Sequence, residues 1–108
     1  MNLEEWLLRH NIKDMTMKDY NNYIYYYKQE EPEEYSTIFG NKNENKIKII
    51  VHSVAYVINS WQEYYTDDGT YKYISSKIRL EYSDEEFAEY EVIYGLDGEY
   101  HDDYFRCI

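Results

Sequence analysis

The chain is 108 residues long, with Lys+Arg 11 against Asp+Glu 22 and a formal net charge of −11. That is one domain's worth of polypeptide, and the sign of its charge excludes a nucleic-acid binder that works by neutralising phosphates. It also argues against docking on an anionic membrane.

Hydrophobic residues make up 44% and aromatics 19%, including 16 Tyr, so the chain has the core material that acidic disordered segments lack. Cys107 is the single cysteine, which excludes an internal disulfide framework and fits a reducing, cytoplasmic setting. The run MNLEEWLLRHNIKDM reads as neither a secretory signal nor a transit peptide. The longest nearly apolar stretch, Ile47 to Ile58, is too short to span a bilayer.

Residues 1–34 read as helical. Asn2 suits an N-cap, with Glu4 and Glu5 in the first turn, where the helix dipole favours negative charge. Leu3, Trp6, Leu7 and His10 recur at helical spacing. Thr16 and Asp19 resemble a capping box and predict a second helix start. Met17, Tyr20, Ile24 and Tyr27 share its inner face, with Tyr23 flanking and Tyr25 and Tyr26 off it. Pro32 sets the limit of this helix, because the residue before a proline is pushed out of helical geometry.

Gly40 to Lys46 is a polar loop without an apolar residue. The Ile- and Val-rich run Lys46 to Asn59 follows. Its Val51, Val54, Ala55 and Ile58 also match helical spacing, but β-branching favours a strand. Asp68-Gly69, between Tyr64-Tyr65 and Tyr71-Lys72-Tyr73, is a hairpin signal. Lys77 to Tyr82 alternates as a half-buried strand does. Phe87 to Tyr94 and Glu99 to Phe105 flank a second turn at Gly95-Leu96-Asp97-Gly98. The expected fold is α+β: one domain over residues 1–108, with two short N-terminal helices packed on an antiparallel meander sheet of four to five strands, the sheet occupying 46–105.

Signatures of catalysis are missing. His10, His52 and His101 have no metal-ligand spacing, and His101-Asp102-Asp103 reads as a polar strand end. Asp67-Asp68-Gly69 and Asp97-Gly98-Glu99 lack the ligand pattern of a calcium loop. No serine sits in a nucleophile elbow and no glycine loop precedes a Lys-Ser/Thr pair. The expectation is a non-enzyme with no metal and no cofactor.

The charge is unevenly distributed. Glu81 to Ile108 holds ten acidic residues against Arg106 and carries −9 of the −11. If Leu96-Asp97 or Asp97-Gly98 forms a two-residue hairpin loop, Glu89, Glu91, Asp102 and Arg106 share an exposed face with Tyr100 and Tyr104. Carboxylates two residues apart on a strand are about 6.8 Å apart, a spacing compatible with a phosphate track. The candidate partner-binding residues are therefore Asp84, Glu85, Glu86, Glu89, Glu91, Tyr100, Asp102, Asp103 and Tyr104. Carboxylates would steer a basic partner, and tyrosines would serve as desolvated anchors.

In size, charge and aromatic content the chain resembles phage-encoded DNA-mimic inhibitors, anti-CRISPR proteins and immunity proteins for nuclease toxins. That resemblance implies a partner that is a basic nucleic-acid-binding protein, such as a nuclease or a CRISPR effector. No direct nucleic-acid or membrane contact is expected. The alternative is an acidic interaction or immunity-type module without mimicry.

Overall fold

Three helices precede a four-stranded sheet in this computed structural model, which describes residues 2–59 and 71–108. The expected Asp68-Gly69 turn lies outside the described residues. Helix α1 spans Leu3–His10, and its Asn2 Oδ1 accepts from the Glu5 N–H at 3.2 Å, the cap that the sequence indicates. Asn11 then takes the left-handed conformation at φ 51°, one that asparagine tolerates better than most residues, and the chain turns directly into α2 (Ile12–Glu30).

Helix α2 therefore starts four residues before the expected cap at Thr16. Thr16 is 1% exposed within the helix, and its Oγ1 lies 2.8 Å from Ser76 Oγ in the sheet. A hydroxyl with a buried tertiary partner has no capping to do. Pro32 does stop α2 at Glu30, but it also opens a third helix that the sequence did not lead us to expect, α3 (Pro32–Phe39). At the first helical position the missing proline N–H costs nothing and its fixed φ suits the turn. The polar loop beyond Gly40 contains one 3₁₀ turn, Glu44–Lys46.

The sheet runs β1 (Lys48–Asn59), β2 (Tyr71–Tyr82), β3 (Glu85–Tyr94) and β4 (Tyr100–Cys107), antiparallel throughout in the order β1-β2-β3-β4. The ambiguous run through Val51 and Ile58 is strand. Ser83 and Asp84 both have positive φ, 52° and 66°, as the tight turn between β2 and β3 demands. Between β3 and β4 the Gly95 N–H donates to the Glu99 carbonyl at 2.8 Å, closing a three-residue loop rather than the expected two. Gly98 has φ 86°, and a Cβ there would lie 2.4 Å from His10 Nδ1, so both backbone and packing require glycine.

All three helices pack on one face of the sheet. Ile74, Ile78, Leu80, Ala88, Tyr90, Val92 and Tyr94 form its buried floor, covered by Trp6, Ile12, Tyr20, Tyr27 and Phe39. Rings carry much of this contact: Phe39 stacks on Tyr35 at 4.4 Å, and Phe105 stacks on Tyr23 at 5.6 Å. Such pairs add about 0.5–1.5 kcal/mol each beyond area burial. Trp6 Nε1 donates to the Leu96 carbonyl at 2.8 Å, tying α1 to the β3–β4 loop. Among the described residues no helix is long and apolar enough to cross a membrane.

Candidate protein-binding surface

The sheet face away from the helices carries alternate residues of β2, β3 and β4, and register decides what meets there. Arg79 pairs with Glu89, Glu89 with Arg106, and Glu91 with Tyr104. Their side chains form a ladder across three strands. Arg79 Nη1 lies 2.9 Å from Glu86 Oε2, and its Nε lies 3.0 Å from Glu89 Oε1. Arg106 Nη1 reaches Glu89 Oε2 at 3.0 Å, and Nη2 reaches Glu91 Oε1 at 2.5 Å. The Ser75 hydroxyl donates to the second Glu91 oxygen.

Glu89 is thereby 8% exposed, with a guanidinium on each oxygen, which is how a sheet tolerates a buried carboxylate. The hydrogen bonds that Arg79 donates, to Glu86 first and then to Glu89, push its pKa further up. Three of the candidate carboxylates, Glu86, Glu89 and Glu91, are thus engaged within the chain. Arg79 lies before the acidic third, so local charge counting does not pair it with them.

The hairpin parity expected for this face holds over most of its length. Ala88 through Ile93 pair with Cys107 through Asp102, which puts Asp102, Tyr104 and Arg106 beside Glu89 and Glu91. Tyr100 is the exception. A register shift between Ile93 and Tyr94 sets Tyr100 opposite Tyr94, on the helix-bearing face. The physical cause is the three-residue loop, which needs a bulge to return to the outer register.

On that second face a group of hydroxyls meets carboxylates. Tyr90 donates to Asp103 Oδ2 at 2.7 Å, and Tyr94 donates to Asp19 Oδ2 at 2.7 Å. Burial first, then the bond to Asp103, pushes the Tyr90 pKa up, and the same two causes in the same order raise Tyr100. Asp103 is therefore a half-buried acceptor. Asp102 is exposed on the outer face, where it accepts from the Tyr104 hydroxyl at 3.1 Å. Tyr100 and Tyr104 remain 48% and 46% exposed, enough area for contact with a partner.

Asp84 and Glu85 stand exposed at the β2–β3 turn, at the opposite end of the sheet from Asp102. Eight steps of β3 separate Glu85 from Ile93, the partner of Asp102, or about 27 Å. The nine candidates thus fall into an exposed turn, a paired ladder, an outer rim at Asp102 and Tyr104, and a helix-side pair at Tyr100 and Asp103. Glu30, Glu31, Glu33 and Glu34 form a further exposed acidic corner around Pro32. The run EEPEE was legible as local charge, but it counts little against a window drawn over the last 28 residues.

Clefts also open between the helices and the sheet among the described residues. One of about 250 Å³ is lined by Tyr20, Ile24, Phe39, Glu44, Ile47 and Ile49. Another, of about 300 Å³, is mainly apolar and opens between α1, the start of α2 and β1. Among the described residues no group of three His, Cys, Asp or Glu side chains could hold a metal ion. Comparison with family models, with curated proteins and with solved structures finds no match to this chain.

Proposed function

We propose that the protein is a non-enzymatic acidic inhibitor that occupies the basic groove of a nucleic-acid-handling protein in the cytoplasm, with a nuclease or a CRISPR effector as the class of partner. The observation that supports this most is the distribution of uncompensated carboxylate. Among the described residues, no Lys or Arg forms an ion pair with Asp84, Glu85 or Asp102, while Glu86, Glu89 and Glu91 between them are paired with Arg79 and Arg106. The contact set is accordingly Asp84, Glu85, Asp102 and Tyr104, with Tyr100 and Asp103 on the helix-bearing side of the hairpin. Glu86, Glu89 and Glu91 act as the frame that keeps the two acidic ends about 27 Å apart, roughly eight base-pair steps of 3.4 Å.

The test is competitive capture. Immobilised protein is exposed to lysate of the native host, washed, and eluted with excess double-stranded DNA or RNA. Support is the release of a nucleic-acid-binding protein whose cognate activity the soluble protein then inhibits. Partners that stay bound in excess nucleic acid would replace this reading with an interaction module of another kind.

A further inference from the structure

The two edges of the sheet have opposite chemistry. Edge strand β4 presents Asp102, Asp103 and Arg106, and charged side chains on an edge discourage pairing with another chain. Edge strand β1 has Lys48 at its start but no such protection from Ile49 onward. No carboxylate occurs from Asn45 to Asn59, and Ser53 to Asn59 (SVAYVIN) contains no charge, proline or glycine. The register shift between Val51 and Ser53 confines the irregularity to His52 and leaves that seven-residue run regular. Val51 and Ile58 are 48% and 58% exposed, and among the described residues no strand pairs with the outer side of β1.

We infer that β1 is the interface of a closed two-fold dimer, in which Ser53 to Asn59 of a second copy adds antiparallel to the same segment, centred on Tyr56. In that register Val54 stands opposite Ile58 and Ala55 opposite Val57, so no charge meets its like. Each unpaired backbone N–H and C=O of the segment finds a partner, and the two sheets join as one of eight strands.

The charge distribution selects a second copy over a pairing through β4. Joining two β4 edges would set the Asp102 and Asp103 of each chain against its mate's. Joining two β1 edges leaves the β4 strands at the far ends, seven interstrand steps or about 34 Å apart. That separation is several Debye lengths at physiological salt, so two chains of −11 can pair there.

The cleft supplies the apolar part of the contact. Leu7, Leu8, Ile12, Val51 and Val54 line it, and Leu8 is 85% exposed. A strand added about 4.8 Å outside β1 brings Ile58 of the second copy opposite Val54 on this side of the sheet, at the edge of the cleft that Leu8 lines. One strand pair with this apolar flank is smaller than a standard interface of roughly 1,600 Å², so the dimer is expected in the micromolar range.

Sedimentation velocity over about 1–100 μM tests the inference, with an apparent mass rising from 13.3 kDa toward twice that value. Ile58→Lys and Leu8→Glu alter exposed side chains and change net charge in opposite directions, so a common effect cannot come from overall charge. Both should move the midpoint at least about tenfold to higher concentration while the circular dichroism spectrum stays unchanged. Amide exchange should show protection in Ser53 to Asn59 that grows with concentration. A constant monomer mass, an open-ended series of larger species, protection confined to β4, or an unmoved midpoint in both variants would overturn it.

Discussion

Arg79 and Glu89 face each other across β2 and β3, Nε to Oε1 at 3.0 Å, with Glu89 only 8% exposed. The carboxylate also holds Arg106, so its removal leaves two guanidiniums close together without their common partner. Breaking one member of such a group costs more than the group contributes as a whole. Glu89→Gln is expected to lower Tm by about 5 °C or more. Glu85→Gln, at the exposed turn, should leave it nearly unchanged. Equal Tm values for the two variants would mean that the ladder contributes nothing to stability.

Partner binding should divide the same carboxylates differently. Reversing Asp84, Glu85 and Asp102 to Lys is expected to slow association and flatten its salt dependence without loss of fold. Tyr104→Ala should shorten the lifetime of the complex by about 2 kcal/mol if its ring is a central anchor. Glu4 and Glu5, which sit in the first turn of α1, are the control. If their reversal slows association as much, net charge alone is acting and the mapped surface is wrong.

Thr16 and Ser76 form a buried hydroxyl pair between α2 and β2, and Tyr94 Oη lies 3.3 Å from Thr16 Oγ1. Thr16→Val keeps the shape but strands the Ser76 hydroxyl, with an expected loss of about 1–2 kcal/mol in denaturant unfolding. Adding Ser76→Ala should return part of that loss, because no partner is then left unsatisfied. A double variant that loses the sum of the two single effects would argue against coupling.

Alkaline pH should unfold the protein through its tyrosines. Burial, as the first cause, raises the pKa of Tyr20, Tyr90 and Tyr94 above the ordinary value near 10. Around pH 10 the unfolded chain releases these protons while the folded chain retains them. Stability is therefore complete below about pH 10 and falls as pH rises beyond it. Tyrosinate absorbance followed together with circular dichroism should show a set of hydroxyls that ionises only as the fold is lost. Full ionisation before unfolding would contradict the buried placement.

Much of the fold was legible because its signals are local. The Asn2 cap, the face shared by Tyr20 and Tyr27, the β-branched run of β1 and the glycine turn before β4 each lie within a few residues of what they specify. The shared outer face of Glu89, Glu91, Asp102, Tyr104 and Arg106 followed from alternation, but the burial of Glu89 on it did not. Where local signals admit two outcomes, the reading failed. Thr16-x-x-Asp19 is a capping pattern whose hydroxyl is instead taken by Ser76, 60 residues away. Pro32 ends one helix and begins another, and only the packing of Phe39 against Phe87 and Phe105 shows why the second helix is worth forming.

By itself the sequence determined the charge, its concentration in the last third, and the order of helices before strands. Tertiary structure decided which of those charges are free. The β2–β3 register brings Arg79 to Glu89, and the bulge beside Ile93 moves Tyr100 to the face of Tyr94. Both depend on pairing between strands, where a shift of one residue exchanges the two faces. A charge count along the chain carries no information about register, so the paired ladder and the exposed carboxylates at its two ends become distinct only in the folded sheet.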